Sequence, residues 1–173
     1  MLRDMPGRQM LTDQVIALRA IAAADISLLY EWRNDPRTRS MFRDDQPLNF
    51  DSHARFVQQF FENAQADYWW IVEAAHVPIG TISLYRFNAD RRTCEFGRFI
   101  IGREYRALGY GRRALALAMS VARSLGVERI SCEVLSTNDC ALRLYDRCGF
   151  TVKAIDQTGL RRFISMEAEL NKK

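Results

Sequence analysis

Lysine is almost missing from this chain. Of 25 basic residues 22 are arginine, and lysine stands only at Lys153, Lys172 and Lys173. The net charge is a modest +4, without the large basic excess or basic stripe of a nucleic-acid binder, so no nucleic-acid partner is expected. Histidine is scarcer still. His53 and His76 stand apart from each other, and no ligand set for a metal is evident. The four cysteines, Cys94, Cys132, Cys140 and Cys148, form no C-x-x-C pair; they read as free thiols of a reducing compartment. No stretch approaches the ~18 apolar residues of a membrane span. Met1 to Met10 has no apolar run of signal-peptide shape. A cytoplasmic protein without a membrane partner is therefore expected. There is no internal repeat, low-complexity tract or linker, and 173 residues suit one domain, 1–173, with its core over about 15–170.

What is present is an alternation of strands and helices. Val15 to Ile21 reads as a short strand. A helix opens at Ala23-Ala24-Asp25, runs through Ile26, Leu29 and Trp32, and is ended by Pro36. Arg37 to Asn49 is polar and loop-like. A second helix is predicted over Asp51 to Asn63, capped by Asp51 or Ser52, with Phe56 and Phe60 toward the core. Three strands follow, at Tyr68 to Ala74, Pro78 to Asn88 and Thr93 to Ile101, parted by turns at His76-Val77-Pro78 and Asn88-Ala89-Asp90. Later come a strand at Glu128 to Leu135, a helix over Asn138 to Cys148 capped by Thr137 or Asn138, and strands at Phe150 to Ile155 and Phe163 to Leu170, turning around Gln157-Thr158-Gly159.

Between them lies Arg106-Ala107-Leu108-Gly109-Tyr110-Gly111. It leads from the strand ending at Ile101 into a helix whose face carries Leu115, Ala118, Met119, Ala122 and Leu125, with Gly126 as C-cap. A strand, a glycine turn and a helix start make an anion site. The first-turn N–H groups lack intrahelical acceptors, and the helix dipole favours negative charge there. Arg106, Arg112 and Arg113 add positive charge at the same end. Neither G-x-G-x-x-G nor a loop closed by Gly-Lys-Ser/Thr is present. The pattern is Arg-x-x-Gly-x-Gly, which resembles the pyrophosphate loop of the GNAT superfamily of N-acetyltransferases.

A second stretch, Asn138-Asp139-Cys140-Ala141-Leu142-Arg143-Leu144-Tyr145-Asp146-Arg147-Cys148-Gly149-Phe150, resembles the GNAT segment Asn-x-x-Ala-x-x-Leu-Tyr-x-x-x-Gly-Phe. It follows the glycine loop at the family's distance, and the resemblance covers about Val15 to Leu170. It implies an α/β (α+β) GNAT fold: a central mixed, mostly antiparallel, splayed sheet of six to seven strands flanked by about four helices. It also implies direct acetyl transfer from acetyl-CoA to a primary amine, without a metal. Phe99, Ile101, Arg106, Leu108, Gly109, Tyr110, Gly111, Arg112 and Asn138 become candidates for cofactor binding. By the same resemblance the backbone N–H of Ile101 would meet the oxyanion, Asn138 the pantetheine arm, and Tyr145 the CoA sulfur. A phenol can donate a proton to a leaving thiolate; a packed core aromatic is the other reading of Tyr145.

The amine must lose a proton. Glu95 is the first candidate base, because Cys94-Glu95-Phe96-Gly97 resembles the Glu-x-Gly of ribosomal-protein and polyamine acetyltransferases, and strict alternation sets it on one face with Gly97, Phe99 and Ile101. An ion pair with Arg92 or Arg98 is its other reading. Glu133 and a water relay are further candidates. For the acceptor, Glu31-Trp32-Arg33-Asn34-Asp35-Pro36 resembles the pseudaminic-acid-pathway enzymes that acetylate a 4-amino group on a nucleotide sugar, and similar segments occur in ribosomal-protein N-terminal acetyltransferases. Arg33 and Asn34 are candidates for substrate binding, Arg33 through a nucleotide phosphate or else as a cation at a helix end. Trp70 and Tyr85 would wall an acceptor pocket or pack in the core. An amino sugar is the first choice of acceptor, with peptide N-termini and polyamines as alternatives. A homodimer fits the family, and a non-catalytic acyl-CoA-binding sensor on the same fold is the contrasting class.

Overall fold

The computed structural model describes residues 10–62, 67–157 and 159–170. The expectations for Met1 to Gln9, for the helix end at Asn63, for Thr158 in the last turn, and for Lys172 and Lys173 lie outside the described residues. Among the described residues eight strands form one sheet: β1 (Leu11–Thr12), β2 (Ile16–Ala20), β3 (Tyr68–Ala74), β4 (Val77–Asn88), β5 (Thr93–Ile101), β6 (Arg129–Leu135), β7 (Thr151–Asp156) and β8 (Phe163–Glu169), in the order β1-β2-β3-β4-β5-β6-β8-β7. Every neighbouring pair is antiparallel except β5 with β6. The strand beyond the expected seven is β1, whose two residues are too short to leave a periodic signal.

Among the described residues five α-helices flank the sheet: α1 (Ile26–Asn34), α2 (Pro36–Arg39), α3 (Phe50–Glu62), α4 (Tyr110–Ser124) and α5 (Asp139–Arg147). Pro36 does not merely end a helix. It occupies the first position of α2, where its missing N–H costs nothing, and Asp35 caps that helix by accepting from the Thr38 N–H at 2.8 Å. The expected loop after Arg37 therefore begins as a helix. Asn49, rather than Asp51 or Ser52, caps α3, accepting from the Ser52 N–H at 3.1 Å.

The sheet is buried on both faces. On one, Leu18, Trp70, Val72, Leu84, Cys94 and Phe96 pack with Ala114, Leu115, Ala118 and Ala122 of α4 and Tyr145 of α5. On the other, Trp69 and Ile71 pack with Leu29 of α1 and Val57 of α3. Adjacent tryptophans of β3 thus serve opposite cores, as the two-residue strand period requires. Among the described residues no helix is long and apolar enough to cross a membrane.

Candidate active site

The parallel pair β5–β6 holds together only from Thr93–Arg129 to Glu95–Ser131. Beyond it β5 stays with β4 while β6 continues along β8 to Leu135. The strands diverge, and a cleft opens beside Phe96–Ile101. At its far end the Gly102 N–H donates to the Ile79 carbonyl at 2.8 Å. Antiparallel pairs alternate between bonded and non-bonded, so Ile101, opposite Gly80, turns its N–H and C=O away from β4 and toward the cleft. Its carbonyl accepts from Arg106 Nε at 2.8 Å, and the same guanidinium reaches Thr38 Oγ1 at 3.2 Å. Arg106 therefore fastens the strand end to the loop and to α2.

A bulge interrupts β5 just before this point. Thr81 faces Ile100 and Ser83 faces Gly97, so Arg98 and Phe99 together oppose Ile82. Arg98 carries the kink with a φ of 46°. The extra residue reverses which side chains face which core. Cys94 and Phe96 lie on the α4–α5 face before the bulge, and Phe99 and Ile101 pack against that same core after it. Glu95 faces Tyr85 across the ladder, and Ile100 faces Thr81; both belong to the opposite face. The expectation that Glu95 and Gly97 share a face with Phe99 and Ile101 is corrected by this bulge, which strict alternation along a sequence cannot reveal.

A 3-10 turn, Arg103–Tyr105, and the loop then lead into α4. Gly109 stands at the N-cap in left-handed conformation (φ 83°), with no side chain capping the helix and open space where its Cβ would be. An uncapped helix start beside an open glycine fits an anionic group approaching the backbone. Leu108 is 61% exposed and Arg112 is exposed, without an ion pair among the described residues; Arg113 is bound to Asp13 at 2.8 Å. Tyr110 begins α4, half-buried against the main core. A Cβ on Gly111 would sit 3.4 Å from Leu144, 3.6 Å from Phe99 and 3.7 Å from Ile101, so this glycine keeps the floor of the cleft low.

Asn138 caps α5 through its side chain, accepting from the Ala141 N–H at 3.2 Å. About two helical turns later, Tyr145 is 7% exposed, its ring edge-on to Phe96 at 5.1 Å and tilted against Phe150 at 5.9 Å. No hydrogen bond joins its phenol to a described residue, and burial holds the phenol protonated far above its ordinary range. The carboxylates are engaged. Glu95 pairs with Arg86 at 3.0 Å, not with Arg92 or Arg98, which instead meet Glu128 and, at 3.7 Å, Asp67. Glu133 is exposed and bound to Arg43 at 3.1 Å.

On the far face of β5 lies a cavity of about 320 Å³ between α1, α3 and the sheet. Phe42, Phe56, Trp69 and Ile100 give it apolar walls; Arg33, His53 and Arg98 are its ionisable groups. Arg33 stacks on Phe42 at 4.1 Å and donates to the Asp44 carbonyl at 2.7 Å, while its Nη1 is buried without a partner. Asn34 is spent on structure, accepting from the Leu48 N–H at 2.9 Å. Trp70 is 0% exposed in the other core and lines no part of this cavity; Trp69 lines it instead, its Nε1 donating to Thr81 at 2.7 Å. Tyr85 lies across Gly97, where any Cβ would collide with its hydroxyl, and Arg98 sits 4.9 Å over its ring.

Residues 16–151 match the acetyltransferase (GNAT) domain model. The chain belongs to the GNAT acetyltransferase family. An uncharacterized N-acetyltransferase of Bacillus subtilis (strain 168), YycN, is 41% identical over 46 residues, a match spanning 27% of this chain and 30% of that protein's length. Among solved structures, the Vibrio cholerae spermidine N-acetyltransferase in complex with CoA and spermine superposes with a TM-score of 0.82 at 22% identity, covering 91% of this chain and 97% of that one. The ribosomal alpha-N-protein acetyltransferase RimL superposes with a TM-score of 0.79 at 12% identity over 93% and 94% of the two chains. At these identities the superpositions establish the GNAT fold.

Within that fold the sequence hid two residues of the cavity. Trp69 was obscured because β3 is buried on both faces and shows no alternation to separate it from Trp70. His53 looked isolated in sequence; only its spacing of four from Val57, on the inner face of α3, marked it as buried.

Proposed function

We propose that this GNAT chain transfers an acetyl group from acetyl-CoA to a small primary amine. The thioester would lie in the β5–β6 cleft, and the amine would arrive from the cavity on the opposite face. The observation that carries this reading is the pair Ile100–Ile101. Ile100 lines the cavity, and Ile101 turns its N–H into the cleft. One strand end thus borders both spaces, so two reactants could meet there without sharing a binding surface.

In this reading the N–H groups at the start of α4 hold the pyrophosphate, helped by Arg112, and Gly109 leaves room for it. Gly111, Phe99 and Ile101 form the floor beneath the pantetheine arm, with Asn138 beside it. The Ile101 N–H offers a fixed donor to charge developing on the carbonyl oxygen. Tyr145 offers its phenol to the sulfur. Arg106 acts through Ile101, whose carbonyl it holds. Glu95 is the favoured base because the bulge turns it to the acceptor face. Its pairing with the exposed Arg86 is a surface interaction of small worth, so it can be released when an ammonium approaches. Glu133 and a water relay are alternatives.

A 4-amino group on a nucleotide-linked sugar remains one acceptor of this kind, supported by the unpartnered Arg33 Nη1. The test is release of CoA thiol from acetyl-CoA with a panel of primary amines, beside Gly109→Asp as control. Amine-dependent release that Gly109→Asp abolishes is expected. Tight acetyl-CoA binding with no amine-dependent release from a broad panel would favour a sensor on the GNAT fold.

A further inference from the structure

The electrostatics of the cavity under α1 and α3 do not suit a polycation. Its described lining contains no Asp or Glu. Asp67 and Glu95 are paired with Arg98 and Arg86. Arg33 forms no salt bridge among the described residues, and one of its nitrogens is buried with no acceptor. His53, 8% exposed, has its Nε2 buried without a hydrogen-bond partner. Buried polar nitrogens without partners are costly, and a guanidinium more so than a neutral group. Both residues border the same cavity, whose remaining walls are largely aromatic and aliphatic.

We infer that the acceptor is an amine with an apolar body and an anionic group, the anion meeting Arg33 and His53 while the amine points toward Ile100. This rests on the acetyl-transfer reading for the position of the amine, but not for the anion contact itself. The shared chemistry is a carboxylate or a phosphate. A planar guanidinium takes either in paired hydrogen bonds. The polyamine class, whose ligands bring two or more positive charges, is disfavoured by the same lining.

Two measurements test it. The first compares kcat/KM for phenylalanine, phenylalaninamide, O-phosphoethanolamine and spermidine. An acid should exceed its own amide by roughly 10–100-fold, the worth of a charge-assisted hydrogen bond. Arg33→Gln should collapse that ratio while acetyl-CoA affinity reports that the variant is folded. A carboxylate source favours phenylalanine; a phosphate source favours O-phosphoethanolamine. Spermidine as the best acceptor, or equal losses for acid and amide in Arg33→Gln, would overturn the inference. The second does not require turnover. The chain has only two histidines, so their imidazole resonances can be followed directly, with the exposed His76 as internal reference. Phenylalanine or O-phosphoethanolamine should shift His53, and the amide should not. If none of the anionic probes moves His53 more than its neutral counterpart, the anion site is absent even if acetyl transfer occurs. If His53 responds but no amine is acetylated, the anion site stands and the acetyl-transfer reading fails.

Discussion

Replacing Tyr145 by phenylalanine should separate chemistry from packing. The ring fills its place against Phe96 and Phe150, and Phe keeps that shape. The hydroxyl has no hydrogen-bond partner among the described residues, so its loss should change folding stability by less than about 1 kcal/mol. The burial of Tyr145 sets the size of the catalytic effect. Its pKa is raised well above the ordinary 10.0, whereas a thiol ordinarily titrates near ~8.5. Full proton transfer from this phenol to a leaving thiolate is therefore uphill, and the group acts best as a hydrogen-bond donor to developing charge. Such a bond to a charged partner is worth about 1.5–3 kcal/mol, or roughly 10–150-fold in rate. That lies mostly below the ~10²–10⁴ of general acid catalysis and reaches only its lower edge. The assay is single-turnover acetyl transfer at saturating acetyl-CoA, with an accepted amine, so that product release cannot mask the step. An unchanged rate in the folded variant would remove Tyr145 from the reaction. A loss far beyond 10³-fold would refute the hydrogen-bond account and restore full proton transfer.

Gly109→Ala should cost about 1–2 kcal/mol, because it puts a side chain on left-handed backbone, and should also weaken acetyl-CoA binding. Gly111→Ala should hold or raise the melting temperature, since its Cβ meets only ordinary contacts, while narrowing the cleft floor; unchanged acetyl-CoA affinity by calorimetry would take Gly111 out of the cleft. Burial pushes Cys94 up from 9.0 to about 12. The unfolded thiol therefore releases a proton that the folded one keeps, and stability should fall as pH rises from 9 toward 12, by about 1.4 kcal/mol per pH unit for this group; urea melts of Cys94→Ala with the same pH slope as the parent would refute this. Burial, with the charge of Arg33, lowers the pKa of His53 below 6.5. Its contribution is present above 6.5 and lost as pH falls through the folded value, so His53→Gln should flatten the acid limb of the stability profile.

The glycine loop, the helix of Leu115 and Ala118, and the Asn138–Tyr145 segment were legible because each rests on local chemistry. Such chemistry includes a left-handed glycine, a helical period or a cap at fixed spacing. Seven of eight strands could be located for the same reason, since each is a β-prone run bounded by turn residues. What escaped depends on partners distant in sequence. Asp35 could be read as a helix end, but its capping of α2 depends on where the chain goes after Pro36. Trp69 and Trp70 differ only in which face the sheet presents to which helix, and a strand buried on both sides carries no pattern to tell them apart. The partner of Glu95 is not Arg92 or Arg98 of its own hairpin turn and strand but Arg86 on β4, fixed by the ladder between the two strands.

The bulge in β5 explains why the two proposed binding spaces can serve one reaction. Had the strand kept strict alternation, Glu95 and Gly97 would share a face with Phe99 and Ile101, and a base on that face would be separated by the sheet from an amine in the cavity. The extra residue at Arg98–Phe99 reverses the order. Glu95 and Ile100 then fall on the cavity side, while Phe99 and Ile101 stay with the core beneath Gly111. The same kink turns Arg98 over Trp69 at 4.7 Å and Tyr85 at 4.9 Å, so the residue that carries the unusual backbone angle also closes the cavity wall. A positive φ at a non-glycine residue costs free energy. Here that cost coincides with the one position where both faces of the strand must change roles.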